Sequence, residues 1–439
     1  MKFYNREKEI ERLLEIQKKS QITAQMTVVT GRRRIGKTQL LLRATEGQPT
    51  LYFFVARKAE ALLCQDFSKE IELKLGTPII GRIEHFGELF NFLMKLSQKQ
   101  SFNLIIDEFQ EFYSVAPSAY SDMQHHWDIN KENSKINLLL SGSVYSLMHK
   151  IFQGTKEPLF GRATNKITVK PFNTNTLKEI LKDHNNNYSS DDLIALYAFT
   201  GGVAKYVQLL MDAGAFTQQE MLSYIIKEDS LFISEGKNML IDEFGKEYTN
   251  YFSILSSIAR GENTRAKIEA IVGKEIGGYL TKLEQDYSLI VKSQPVFSKN
   301  TTKNVRYILR DNFLTFWFRF IFKYSHIIEI EAFDKLREII NRDYPTYSGI
   351  ILEKFFADKL KETGNYTIIG RYWDRKGENE IDIIAINEID KSAEIIEVKR
   401  QHSAYNENLL HKKYAHLLTI APEIKNYNTK IKGLSLDDI

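Results

Sequence analysis

Hydrophobic positions in the first part of the chain alternate between short continuous runs and longer periodic stretches. The runs at 27–30, 51–55, 103–106 and 136–140 are typical of buried strands. Between them, stretches such as 66–75 carry apolar residues at helical spacing. This alternation predicts an α/β fold with a parallel sheet covered by helices on both faces.

Further along, the pattern changes to short helices and then to a helix-rich segment that ends in a polar hairpin. Helical stretches lie at 247–259, 264–272 and 274–284, and β-rich runs follow at 289–297 and 305–309. Three helices and a hairpin in this order predict a winged helix.

The last segment combines one helix, at 349–362, with strands at 366–372, 380–386 and 393–398. A chain of 439 residues is too long for one hydrophobic core, so several domains are expected. We predict a parallel-sheet core at 1–172, a small helical lid at 173–240, a winged helix at 241–325 and a second α/β domain at 326–439.

Composition and charge exclude several classes of protein. The 60 Lys and Arg against 56 Asp and Glu leave a net charge of +4, so any basic surface is local. The single cysteine, Cys64, excludes a disulfide framework and a cysteine-based zinc site, and indicates a reducing compartment. No stretch approaches the roughly 18 apolar residues that cross a bilayer, and residues 313–322 predict a buried helix. We expect a cytoplasmic protein without a membrane contact.

One glycine-rich motif, G-x-x-x-x-G-K-[ST], follows the strand at 27–30 and precedes a helix. In such a loop backbone N–H groups surround phosphates, Lys37 bridges the β- and γ-phosphates, and Thr38 coordinates Mg²⁺. Asp107 and Glu108 end the strand at 103–106, where they would hold Mg²⁺ through water and act as general base, respectively. These motifs predict a site for a nucleoside triphosphate, such as ATP, and Mg²⁺. The residues of the loop are Gly31, Arg32, Arg33, Arg34, Ile35, Gly36, Lys37 and Thr38.

Two further polar residues are candidates for the same site. Ser143 follows the fourth strand, where it would contact the γ-phosphate or cap the next helix. Arg162 would serve either as an arginine finger or in an interdomain salt bridge.

Taken together, five motifs resemble the archaeal-type ATPases within the AAA+/STAND group. The resemblance covers nearly the whole chain and implies a P-loop ATPase core, a winged helix and a C-terminal domain of the PD-(D/E)XK nuclease type. It also implies that Asn5 and Arg6 lie beside the adenine; a capped helix with charge pairs is the alternative. Relatives carry Gly-Gly-x-Pro in the lid, whereas this chain has Ala204. The motifs are Phe3-x-Asn5-Arg6-Glu7-x-Glu9, the loop Gly31 to Thr38, Asp107-Glu108, Leu140-Ser141-Gly142-Ser143 and Thr200-Gly201-Gly202-Val203.

Charged residues recur at period two along two strands of the last domain. Glu397 and Lys399 project from one strand face, and Asp382 joins them from a neighbouring strand. Asp382 and Glu397 would bind Mg²⁺ and Lys399 would orient the attacking water. Glu353, on the preceding helix, matches the acidic residue that relatives add. The alternative is a pair of alternating strands with solvated ends, and retained cleavage activity stays open.

Cations on the third helix and the hairpin of the predicted winged helix would contact DNA phosphates. A solvated face or an interdomain strut is the alternative. The candidates are Lys274, Lys282, Lys299, Lys303 and Arg306.

The first functional hypothesis is a Mg²⁺-dependent ATPase whose nucleotide state positions the winged helix and the nuclease-like domain on DNA. The second is a nucleotide-switched regulatory protein that binds DNA or a protein and cleaves nothing. A third is a peptide- or chaperone-like ATPase. The sequence leaves the oligomeric state, including a homo-oligomer, open.

Overall fold

The computed structural model describes residues 1–299 and 302–439. They form two compact units, one comprising Asn5–Lys170 and the other Met1–Tyr4 with Pro171–Ile439. No helix in these described ranges is long and apolar enough to span a membrane.

The first unit contains a parallel sheet, as predicted, and this sheet has a fifth strand beyond the four predicted runs. Its strands are β1 (Gln25–Thr30), β2 (Thr50–Phe54), β3 (Phe102–Asp107), β4 (Ile136–Ser141) and β5 (Asn165–Thr168). The strand order is β2-β3-β4-β1-β5. Every residue of β1, β3 and β4 is buried, because helices cover both faces of the sheet. Since β4 lies between β1 and β3, the carboxyl ends of these three strands meet at one edge.

Seven helices of the first unit pack on this sheet, and its core is rich in phenylalanine. The rings of Phe53 and Phe67, for example, stack with centroids 4.1 Å apart. The helices are α1 (Glu7–Ser20), α2 (Lys37–Ala44), α3 (Glu60–Leu75), α4 (Phe86–Lys99), α5 (Phe112–Val115), α6 (Ala119–Asn130) and α7 (Tyr145–Gln153).

The second unit begins with five helices, α8 (Thr174–His184), α9 (Ser190–Thr200), α10 (Ala204–Asp212), α11 (Gln218–Ile225) and α12 (Leu231–Phe244). Ser189 and Asp192 form a capping box at the start of α9, which explains why that helix begins after the asparagine-rich turn. Asp191 at the same helix start forms a bidentate ion pair with Arg400, with both N–O distances 3.0 Å. The lid segment is therefore tied directly to the C-terminal segment, and the finer domain division stays a prediction.

Three helices and an antiparallel hairpin follow, in the predicted order. The winged-helix assignment itself stays a prediction. The elements are α13 (Tyr248–Ala259), α14 (Arg265–Val272), α15 (Gly277–Gln285), β6 (Ile290–Ser293) and β7 (Arg306–Leu309).

Residues 313–322 are largely buried, as predicted, and include a π-helical turn, Trp317–Phe322. This turn lies between α16 (Asn312–Phe316) and α17 (Ser325–Glu329). The long helix α18 (Phe333–Thr363) comes next, and it begins well before the predicted residue 349. Pro345 lies inside this helix, so the sequence signal for a helix boundary is misleading here.

A four-stranded mixed sheet completes the chain, in the order β11-β10-β9-β8. Only the pairing of β10 with β11 is parallel. Helix α19 packs on this sheet through Leu410 and Leu417. The elements are β8 (Ile368–Trp373), β9 (Glu380–Asn387), β10 (Ser392–Val398), α19 (Glu407–Ile420) and β11 (Asn428–Leu434).

Candidate functional site

The glycine-rich loop joins the carboxyl end of β1 to the amino end of α2, as predicted. Gly36 has φ 93° immediately before α2, a conformation that residues with a side chain rarely adopt. A Cβ atom on Gly31 would lie 2.7 Å from the carbonyl oxygen of Val169. Both glycines therefore allow the backbone to place the N–H groups of the first turn of α2 at the loop. Such N–H groups are a common binding site for anions.

Lys37 is buried at the base of this loop. Its Nζ donates to the carbonyl oxygens of Gly31, at 2.9 Å, and Arg32, at 3.2 Å. Burial lowers the pKa of Lys37 to about 8, against the nearby carboxylates of Glu108 and Asp107, which raise it. A phosphate bound in the loop would stabilise the ammonium form.

Asp107, at the end of β3, accepts four hydrogen bonds. Its Oδ2 accepts from Thr38 Oγ1 at 2.6 Å and from the Tyr52 hydroxyl at 2.9 Å. Its Oδ1 accepts from the backbone N–H of Glu108 at 3.0 Å and from the Ser141 hydroxyl. The hydroxyl of Thr38 and the carboxylate of Asp107 are thus in contact, and both supply the hard oxygen atoms that Mg²⁺ prefers.

Glu108 has φ 52°, which turns the chain sharply after β3. Its Oε2 accepts hydrogen bonds from Ser143 Oγ and from Gln110 Nε2, both at 2.6 Å. Helix α7 begins after Val144 and has no side-chain cap, so the capping alternative for Ser143 is wrong. The structure places Ser143 against Glu108, because β4 neighbours β3 in the sheet.

At the amino end of the first unit, Asn5 and Arg6 both adopt positive φ values, 51° and 105°. The buried Arg6 guanidinium donates to the Lys170 carbonyl oxygen at 2.7 Å and contacts Glu9 at 3.4 Å. Burial lowers the pKa of Arg6, while Glu9 opposes that shift. The element before α1 is therefore held by backbone and side-chain bonds; its place beside an adenine stays a prediction.

Arg162 pairs with Asp128 at 3.1 Å, within the first unit. It also donates to the Phe160 carbonyl oxygen at 2.9 Å. This ion pair is not the interdomain salt bridge that the sequence left open, and it engages the guanidinium that an arginine finger would use.

The second unit brings together the charged residues predicted on its C-terminal strands. The register pairs Ile383 of β9 with Ile396 of β10, so Asp382 and Glu397 are the next residues along the two strands. Asp382 Oδ2 accepts from the backbone N–H of Val398 at 2.8 Å and lies 4.0 Å from Lys399 Nζ. Lys399 Nζ also contacts Glu397 Oε1 at 2.7 Å.

Two cations that the sequence did not single out complete this cluster. Arg371 Nη2 lies 2.7 Å from Glu353 and 3.3 Å from Glu380, and Lys413 Nζ lies 2.9 Å from Glu397. Burial raises the pKa of Glu353, although Arg371 opposes that shift. Within residues 1–299 and 302–439, no group of three or more His, Cys, Asp or Glu side chains is arranged to hold a metal ion. The carboxylates are instead balanced by cations of the chain.

The predicted DNA-contacting cations fall into two groups. Lys274, Lys282, Lys299 and Lys303 are exposed, and Lys274 bonds to Asn250. Arg306 is different, because it pairs with Glu380 at 2.7 Å and lies over the Trp373 ring at 4.5 Å. Arg306 therefore attaches the hairpin to the C-terminal sheet.

The sequence analysis did not single out four residues of these two clusters, and only some of them could have been predicted from sequence patterns. Ser141 lies inside a quoted motif and Tyr52 inside a predicted strand, so adjacency in the sheet would have suggested them. Arg371 lies on a predicted strand, but its partners come from another strand and from α18. Lys413 lies on α19, a helix that the sequence analysis did not predict. No sequence pattern therefore pointed to Lys413.

Comparisons with known proteins agree with this architecture. The family model of an ATPase domain predominantly from Archaea matches residues 3–210. A second family model, described as Archaea bacterial proteins of unknown function, matches residues 317–412. An uncharacterized protein of Methanocaldococcus jannaschii is 31% identical over 408 residues, which are 90% of this chain and 87% of the relative. A solved structure, a Walker-type ATPase of Pyrococcus abyssi, has a TM-score of 0.55 at 19% identity over 72% of this chain and 96% of that one, so it supports the fold alone. The chain belongs to the family of ATPases found predominantly in Archaea.

Proposed function

We propose that this protein binds and hydrolyses ATP with Mg²⁺ and couples its nucleotide state to DNA binding. The observation that carries the ATPase part is the contact between Thr38 and Asp107 beside the buried ammonium group of Lys37. These three groups come from the loop and from β3, and together they suit a Mg²⁺-bound triphosphate. Thr38 and Asp107 would hold Mg²⁺, which when bound neutralises charge on the phosphate oxygens.

The chain's own residues would then carry two further tasks. The loop N–H groups and Lys37 would fix the phosphates, since they already lie at the amino end of α2. Glu108 would accept the proton of the attacking water, and Ser143 and Gln110 would hold that carboxylate in place through their hydrogen bonds. The test of this assignment is ATP turnover by the parent chain and by Lys37→Ala.

The DNA-binding part of the proposal is supported by the exposed lysines of α15 and the hairpin. Lys299 and Lys303 are exposed and free to approach phosphates, whereas Arg306 is committed to Glu380 and Trp373. Lysine contacts to phosphate release counterions, so affinity would fall as salt rises.

Replacing Lys299 and Lys303 together with alanine is expected to weaken duplex DNA binding and to flatten its salt dependence. The slope of log K against log salt should fall by about 0.9 for each lost phosphate contact. Fluorescence anisotropy over a salt series measures it. The matched control is Lys95→Ala with Lys99→Ala, which removes the same charge from exposed positions on α4. An equal slope in both double variants would show that the hairpin lysines do not contact DNA.

Metal-dependent DNA cleavage is a second candidate function, supported by the convergence of Asp382, Glu397 and Lys399. The carboxylate oxygens are of the kind that Mg²⁺ prefers, but Lys399 and Lys413 already balance Glu397, and Arg371 balances Glu353. This balance favours the alternative, a nuclease-like domain without cleavage activity that serves regulation.

A metal titration of the full chain distinguishes the two. If the cluster binds metal, Mn²⁺ should raise Tm, and Asp382→Ala should abolish that rise together with DNA nicking, whereas Lys399→Ala should lose nicking alone, because an ammonium group does not ligate Mn²⁺. An Asp107→Asn background removes the carboxylate that would hold Mn²⁺ at the nucleotide site. Glu394→Ala is the matched control, since Glu394 lies on the same strand and pairs with Lys432. Equal Tm shifts in Asp382→Ala and the control would favour the regulatory alternative.

A further inference from the structure

A cavity of about 150 Å³ lies in the second unit. Residues from α13, the β6–β7 hairpin, the π-helical turn, α18 and β8 enclose it. One water molecule needs a cavity of roughly 10–15 Å³, so this cavity accommodates a ligand of several atoms.

The lining of this cavity is strongly positive. Arg306, Arg319 and Arg371 all contribute to it, and none of the described lining residues is Asp or Glu. Arg306 and Arg371 are partly neutralised by Glu380 and Glu353, which lie outside the lining. Arg319 makes no ion pair within 4.0 Å among the described residues, and its hydrogen bond to the Ala259 carbonyl oxygen is long, at 3.4 Å. The carboxylate of Asp343, which pairs with Arg342, acts on Arg319 only through space. The cavity therefore has a surplus of positive charge.

Two buried polar groups of the same lining lack a hydrogen-bond partner in the described part of the chain. They are the hydroxyl of Tyr347, a residue only 1% exposed, and the Nε of Arg371. Buried polar groups are nearly always bonded, and each exception calls for a partner. The Nε of Arg371 can only donate, and the Tyr347 hydroxyl can donate as well as accept, so one acceptor would satisfy both groups.

The backbone geometry at Arg319 also indicates a functional site. Arg319 lies in the π-helical turn, a rare geometry that occurs often at functional sites. Its guanidinium carbon lies 5.6 Å from the centre of the Tyr347 ring, so the unpaired cation and the unbonded hydroxyl belong to neighbouring side chains. The side chains of Arg306 and Arg371 are 23% and 30% exposed, which leaves the cavity accessible from solvent at their positions.

We propose that this cavity binds a phosphate group. Guanidinium groups recognise phosphate through paired, charge-assisted hydrogen bonds, and the Tyr347 hydroxyl would add a neutral donor. A phosphate would satisfy both unbonded groups and balance Arg319 at once, whereas water would leave the charge uncompensated. The group is either a free anion or the terminal phosphate of a nucleic acid. Phosphate binding in this cavity would not depend on ATP hydrolysis.

Calorimetry with inorganic phosphate on the full chain tests this proposal. The Lys37→Ala background is used so that the glycine-rich loop contributes little to phosphate binding. We expect binding that weakens about tenfold or more with Arg319→Gln and several-fold with Tyr347→Phe. Tyr347→Phe keeps the ring and removes an unbonded hydroxyl, so its Tm without phosphate should equal or exceed that of the Lys37→Ala chain. Arg375→Gln, an exposed arginine outside the lining, is the matched control and should bind as the Lys37→Ala chain does.

Competition identifies the source of the phosphate. A short oligonucleotide with a 5′-phosphate that displaces inorganic phosphate, while its unphosphorylated counterpart does not, indicates a nucleic-acid end. Failure of both indicates a free anion, and either outcome supports the site. Absence of phosphate binding to the Lys37→Ala chain, or equal affinity in Arg319→Gln, Tyr347→Phe and Arg375→Gln, would overturn the proposal.

Discussion

Replacing Lys37 with alanine is expected to lower ATP turnover by at least about 100-fold, the usual cost of removing a buried group that stabilises transition-state charge. Lys37 is buried, and its Nζ donates to two backbone carbonyl oxygens of the loop. No water can replace it easily at that position, because the loop encloses it. A coupled assay of phosphate release measures the effect.

The matched control for this substitution is Lys99→Ala, which removes an exposed lysine at the end of α4 in the same unit. Its turnover should equal that of the parent chain. Thermal unfolding of both variants separates a loss of chemistry from a loss of fold. Turnover by Lys37→Ala at the parent rate, with the fold intact, would contradict the ATPase assignment.

Replacing Glu108 with glutamine is expected to slow hydrolysis by about 10²- to 10⁴-fold while ATP stays bound. The amide oxygen can still accept from Ser143 and Gln110, so the local geometry should persist. What glutamine lacks is the ability to take a proton from water. Single-turnover hydrolysis and equilibrium binding of labelled ATP, measured on the same sample, distinguish the two effects.

Glu132→Gln serves as its control, because Glu132 is exposed in the turn after α6. This substitution removes the same negative charge. Hydrolysis and binding should both match the parent chain. If Glu108→Gln loses ATP binding together with hydrolysis while Glu132→Gln loses neither, Glu108 maintains the structure of the site and another group is the base.

Local patterns determined much of this protein. The spacing of Gly31, Gly36 and Lys37 identified the phosphate loop, because the conformations of such a loop depend on glycine and on adjacent residues. The buried runs predicted the parallel sheet, and charge at the end of β3 identified Asp107. Alternation along β9 and β10 likewise placed Asp382 and Glu397 on one face. The sheet is confirmed because each buried run depends on neighbours a few residues apart, whereas the roles of the loop and of Asp107, Asp382 and Glu397 stay predictions.

The tertiary structure alone decided which partner each charged group received. Arg306 carried the signature of a DNA-contacting residue, yet it pairs with Glu380, 74 residues away. Arg319 is the charged residue of the apolar stretch 313–322, and the packing of α13, α18 and the hairpin makes it part of a cavity. Such pairings depend on how distant elements meet, and the energy of an ion pair depends on burial and geometry that composition does not encode. The sequence by itself determined the kinds of chemistry present, and only the packing of its elements determined where the positive charge is left unbalanced.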